Sequence, residues 1–190
     1  MTASRFALPA SALLLALAAG HACGQDLYDP TELRTINLTF HDADWLQRLR
    51  DNYESETPIG ADLEVDGEMY PNVGVRIRGN TSYRALPAGS EKFSLKVYMD
   101  WMDEDQELYG YQTLNFNNGF HDPTFCREVM YNNYVAQFIP NPRANHVLME
   151  LNGENWGVYI NVQQPNKDML DDWFADDDGL RIKCANNPSG

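Results

Sequence analysis

The chain has 190 residues, 43% of them hydrophobic and 12% aromatic, with a formal net charge of −14 from 14 basic and 28 acidic residues. Four Trp and ten Tyr give it large side chains to bury, which excludes wholesale disorder. The acidic balance excludes a broad nucleic-acid surface, which needs cations to displace counterions, and disfavours an anionic membrane; it is compatible with a basic protein partner or with solubility alone.

At the N-terminus, Arg5 precedes the apolar run Ala12 to Ala19, and the small residues Gly20, Ala22 and Gly24 follow. A positive start, a short apolar core and a small-residue exit predict a secretory signal peptide over residues 1–24. The run is too short to cross a bilayer of ~30 Å, so no transmembrane span is expected. The mature domain is then 25–190, secreted, periplasmic or at the cell surface. Cys23 is an alternative lipidation site, although Gly20, His21 and Ala22 make a poor lipoprotein box. An oxidising compartment permits Cys126 and Cys184 to pair, but two cysteines are no disulfide framework. Cys126 also reads as a free thiol buried in a helix. No CxxC, HExxH or His cluster is present, so no zinc or other metal site is expected.

Thr35 to Phe40 alternates as a strand, and His41 to Tyr53 reads as a short helix with Trp45, Leu46 and Leu49 on one face. Asp66-Gly67 separates Ala61–Val65 from Glu68–Arg78, a hairpin signal because a type I′ turn needs positive φ at both central positions. Lys92 to Met99 is a further strand, with Lys92, Ser94 and Lys96 on one face and Phe93, Leu95 and Val97 on the other. Asp122-Pro123 predicts a helix to about Phe138, ended by Pro140 and Pro142. Asn152-Gly153 joins His146–Leu151 to Asn155–Val162 in a second hairpin, a short helix follows near Lys167 to Phe174, and Leu180 to Cys184 begins one more strand. This order predicts an α+β fold, with helices packed on an antiparallel sheet.

Three segments offer chemistry. In VGVRIRGNTS, Arg76 and Arg78 share a strand face that runs into Gly79, Asn80, Thr81 and Ser82. Two guanidinium forks beside a turn that lets backbone approach closely suit phosphate oxygens; an ordinary hairpin turn with solvated arginines has the same sequence. Lys92 and Lys96 project to one side, and Glu128, at the margin of the apolar stripe Phe125, Val129, Met130 and Ala136, is placed to hold a strand lysine; a polar sheet face beside a solvated helix edge reads equally well. In VYINVQQPNK an apolar strand leads through Gln163, Gln164 and Pro165 to a helix capped by Asn166, as a hinge does, or a plain connecting loop. Asp100, Asp103 and Asp105 lack the Gly and Glu of an EF-hand and read as solvated loop.

Taken in order, VGVRIRGNTSY, EKFSLKVY, LNFNN, DPTFCREVM and LMELNGENWGVYINVQQPNKDML resemble the CotH (spore coat protein H) kinase family, over about residues 37 to 183. The resemblance implies a divergent protein-kinase-like N-lobe, a hinge and the start of a C-lobe. It implies ATP with Mg or Mn as cofactor, and phosphoryl transfer to serines of secreted or surface proteins. Arg76, Arg78, Gly79, Asn80 and Ser82 would then lie near the phosphates, with Lys96 or Lys92 in contact. Glu128 would anchor that lysine, and Gln163 and Gln164 would belong to the hinge. GxGxxG, HRD and DFG are missing, and Gln163 stands where the family often has Glu. The family's catalytic and metal-binding aspartates are expected beyond the hinge helix. The chain is therefore read as a fragment with no catalytic residue, able to cradle a nucleotide but inactive alone. A non-catalytic extracellular adhesion or structural module of the same fold is the alternative, and a calcium-stabilised β-rich binding domain a third.

Overall fold

Seven segments alternate apolar and polar residues, and each apolar set faces one common interior. The computed structural model describes residues 26–176 together with 178, 179 and 182. Its strands are β1 (Arg34–Phe40), β2 (Ile59–Val65), β3 (Glu68–Arg78), β4 (Ser94–Tyr98), β5 (Thr113–Asn117), β6 (Ala144–Leu151) and β7 (Glu154–Val162). They close into a barrel in the order β1-β2-β3-β4-β5-β7-β6, and β6 returns to β1 in parallel while every other pairing is antiparallel. Ile36, Leu38, Leu63, Val75, Ile77, Leu95, Val97, Leu114, Phe116 and Val147 are buried and fill the barrel with their own side chains, as small barrels do. Asn145 and Asn161 are buried as well. Asn161 Nδ2 donates to Asn145 Oδ1 at 3.1 Å, and Asn145 Nδ2 donates to the Leu27 carbonyl at 3.0 Å, pinning the segment before β1 to the barrel. Both expected hairpins form: Asp66 and Gly67 have φ of 53° and 81°, and Asn152 and Gly153 have 50° and 79°.

The helices are short and lie outside: α1 (Trp45–Asp51), α2 (Thr81–Arg84), α3 (Arg127–Val135) and α4 (Lys167–Trp173), with a 3-10 turn at Met99–Trp101. The expected α+β fold, an antiparallel kinase-like N-lobe with packed helices, is therefore incorrect. The sheet is mixed and closed, and it supplies its own core, so no helix is needed to cover its apolar face. The pairing that closes it, Arg34 with Val147 through Leu38 with Leu151, joins residues far apart in the chain. Alternation within each strand gives no sign of such a partner.

Smaller expectations shift too. The helix expected from Asp122 begins at Arg127, and Asp122 caps it from a distance, its Oδ2 accepting from the Arg127 amide at 2.8 Å. Cys126 is a half-buried free thiol at the N-cap rather than inside the helix. Val129 and Asn132 face the barrel, whereas Met130 is 69% exposed and Phe125 precedes the helix with a φ of 58°, so the expected apolar stripe does not form. Strand β5 was not anticipated. The signal segment, Cys184 and, apart from Ile182, the strand expected from Leu180 lie outside the described residues.

Candidate anion-binding cleft

The alternation that sends Val75, Ile77, Leu95, Val97, Leu114 and Phe116 inward sends Arg76, Arg78, Ser94, Lys96, Asn115 and Asn117 outward. Register then sets these in rows. Arg76 lies opposite Lys96 and Lys96 opposite Asn115, while Arg78 lies opposite Ser94. On this face opens a cleft of about 780 Å³. Its floor includes Arg76, Arg78, Lys96 and Asn115. Its walls are the Tyr53–Glu56 loop, the Gly79-Asn80 turn with Arg84, and Gln164 to Asn166. Four cations face two carboxylates, Glu54 and Glu56, a locally positive site on a strongly acidic chain. Such a site draws in anions.

Each cation is held in place. Arg76 Nε donates to Tyr98 Oη at 2.9 Å, its Nη1 to the Ile77 carbonyl at 3.1 Å, and its Nη2 lies 3.0 Å from Glu56. The Lys96 ammonium sits 4.9 Å from the centre of the Tyr98 ring, so one aromatic residue orients both. Arg84 donates from Nε to Asn80 Oδ1 and from Nη2 to Glu54, both at 2.8 Å. Arg78 is the most deeply set. Its one side-chain hydrogen bond among the described residues runs from Nη1 to Asn117 Oδ1 at 2.5 Å, and Asn117 Nδ2 in turn donates to both Glu128 oxygens at 2.8 and 2.9 Å. Burial pushes the Arg78 pKa below its ordinary value, with the Glu128 charge opposing and the Arg76 charge adding to the shift. Burial lowers the Lys96 pKa as well, with the neighbouring Arg76 and Arg78 reinforcing it against Tyr98. Buried cations short of direct carboxylate partners gain from an incoming anion.

The turn is shaped by Gly79. Its φ is +83°, a conformation that disfavours a side chain, and a Cβ there would stand 2.3 Å from Ser82 Oγ and force that hydroxyl to move. Tyr53 Oη donates to the Gly79 carbonyl at 2.9 Å and ties the loop wall to the turn.

Of the residues singled out from sequence, Arg76, Arg78, Gly79, Asn80, Lys96 and Gln164 line this cleft. Ser82 and Glu128 line an adjoining recess of about 400 Å³ that shares Arg78 and Gly79. Glu128 accepts from Asn117 rather than from a lysine. Lys92 points elsewhere. Its Nζ donates to the Val158 carbonyl at 2.9 Å and lies 4.5 and 5.0 Å from the Phe125 and Tyr159 ring centres. Gln163 is buried and joins the amide of Arg143 (3.1 Å) to Asp172 on α4 (2.5 Å). Sequence reading missed Tyr53, Glu54, Glu56, Arg84, Tyr98, Asn115 and Asn117. Three of them carried a signal: period two puts Tyr98 on the face of Lys96, and the alternation Leu114-Asn115-Phe116-Asn117 puts two amides on one strand face.

The barrel carries an arginine- and lysine-lined cleft on its outer face, an electrostatic setting that suits anions. The family model described as CotH kinase protein matches residues 75–189, more than half of the chain, and the protein belongs to that family. No curated protein matches it at significant similarity. Among the described residues, no helix is long and apolar enough to cross a membrane.

Proposed function

We propose that the cleft binds the phosphates of a nucleoside triphosphate, and that the protein serves ATP-dependent phosphoryl transfer to serines of secreted or surface proteins. The convergence of Arg76, Arg78 and Lys96 beside the Gly79 turn carries this reading. A triphosphate presents closely spaced anionic oxygens, which guanidinium forks engage in pairs and an ammonium meets as a point charge. The lowered pKa of Lys96 and of Arg78 marks a desolvation cost that phosphate offsets on binding. Of the two candidate lysines, Lys96 faces the cleft, whereas Lys92 is engaged with Val158 and two rings.

The described residues that line the cleft form no cluster suited to a resident metal. Among the described residues no group of three or more His, Cys, Asp and Glu is arranged to hold one, and Glu54 and Glu56 already face Arg84 and Arg76. Magnesium or manganese enters in this reading as the counterion of the nucleotide. In the transfer the serine oxygen bonds to the γ-phosphorus as its proton passes to solvent, the bond to the β–γ bridging oxygen breaks and ADP leaves. Arg76, Arg78 and Lys96 orient the phosphates and offset their charge, a contribution of position and electrostatics. The extracytoplasmic setting rests on the apolar leader in residues 1–24.

Calorimetric titration of the purified chain with ATP, with and without magnesium or manganese, tests the reading. Micromolar binding that Lys96→Ala abolishes is the expected result. A folded wild-type protein that takes up no ATP under any of these conditions overturns it.

A further inference from the structure

Asn115 lies on the cleft floor, 1% exposed, between Lys96 on β4 and the end of β7. Its Nδ2 donates to the Val162 carbonyl at 3.2 Å and to Gln164 Oε1 at 3.1 Å. Those two bonds fix the orientation of the amide, because a flip would set its oxygen against the Val162 carbonyl. The other end of the group, Oδ1, is buried and has no hydrogen-bond partner. A buried acceptor left without a donor costs about 1–3 kcal/mol, and each one in a native structure calls for an explanation.

We propose that Asn115 Oδ1 accepts a hydrogen bond from an N–H or O–H on the nucleoside part of the bound nucleotide, an inference that rests on the nucleotide reading above. Two observations point to a neutral donor rather than to a phosphate. The oxygen carries a partial negative charge, so it repels phosphate. The cations that suit phosphate lie to one side of it, on β3 and β4, while the opposite side is formed by Gln164, Pro165 and Asn166, which carry no charge. The oxygen is also closed to solvent in the free protein. Lys96, which lines the cleft beside it, has a flexible side chain, and its displacement as the ligand seats exposes the oxygen while the bonds of Nδ2 persist. A site that reads a donor through a fixed, otherwise unsatisfied acceptor discriminates strongly against ligands lacking that donor.

The test compares ATP with inorganic tripolyphosphate, which carries the anionic charge without the nucleoside, on the wild type and on Asn115→Leu. The variant is expected to bind ATP roughly fivefold more weakly and tripolyphosphate within twofold of wild type, since one lost hydrogen bond is worth about 1 kcal/mol. In the wild-type protein, the Asn115 side-chain amide resonances are expected to move with saturating ATP and to stay in place with tripolyphosphate. This second measurement holds even if the variant does not fold. ATP affinity unchanged in the variant, or ATP and tripolyphosphate falling together, overturns the assignment while the phosphate cradle stands. Tripolyphosphate and ATP both failing to bind the wild type overturns the cradle, and the assignment with it.

Discussion

The inner and outer faces of β3, β4 and β5 are made by alternate residues of the same strands, yet they obey opposite rules. Inward, Val75, Ile77, Leu95, Val97, Leu114 and Phe116 are at most 1% exposed and make the barrel core. Outward, Arg76, Arg78, Lys96, Asn115 and Asn117 are also largely withdrawn from water, because loops and helices wall the cleft around them. Apolar burial stabilises at roughly 25 cal/mol per Å², whereas burying a cation without a partner costs free energy. The inner face therefore contributes stability, and the outer face spends some of it to hold charges ready for an anion. Loss of an inner residue is expected to destabilise the protein, and loss of a cleft cation to leave it folded with weaker binding.

The largest effect is expected inside. Leu95→Ala should lower unfolding stability by about 2–5 kcal/mol, read in a denaturant melt, while molecules that remain folded bind ATP as before. A loss of ATP affinity in the folded fraction would show that the two faces are not separable. Next, Gly79→Ala combines a φ of +83° with a clash on Ser82 Oγ and should cost about 1–3 kcal/mol together with weaker binding. It is the one position where both faces are expected to suffer. Arg78→Met should weaken ATP at least tenfold, or about 1.4 kcal/mol, with a melting temperature equal to or above wild type. A marked fall in melting temperature would make Arg78 part of the core's support.

Lys96 extends the comparison to pH. Its folded pKa lies below the ordinary 10.5 because burial disfavours the ammonium. Below that lowered value Lys96 is charged in both the folded and unfolded states, and the folded state bears the penalty. As pH rises through the folded value towards 10.5, the folded state releases its proton first, so stability rises. ATP affinity falls over the same interval as the ammonium is lost. Lys96→Met should flatten both trends, measured by melts and titrations across alkaline pH. The smallest effect is expected at the loop wall. Glu56 is 68% exposed and occupies the Arg76 fork, so Glu56→Gln should tighten ATP roughly two- to fivefold, the scale of an exposed ion pair. No change would show that phosphate does not compete for Arg76.

The sequence by itself determined the local features of this protein. Period-two alternation gave the two faces of β3 and β4, and with them the pairs Arg76 with Arg78 and Lys92 with Lys96, because side chains on a strand cannot choose their side independently. Asp66-Gly67 and Asn152-Gly153 gave the two tight hairpins, since few other pairs adopt positive φ twice. Gly79 was legible for the same reason. Tertiary structure alone decided closure of the barrel, which depends on the parallel pairing of β1 with β6 and leaves no mark on either strand. It also decided which polar residues became the site. Lys92 and Lys96 belong to one alternating run, but Val158 and two aromatic rings capture the first, while the second faces the cleft. Gln163 and Gln164 are neighbours, yet one ties Arg143 to α4 and the other reaches Asn115. Tyr53, Glu54 and Glu56 enter the site because the loop after α1 folds over β3. Such roles are set by what lies opposite in space, and a residue's own type and spacing do not encode its distant partner.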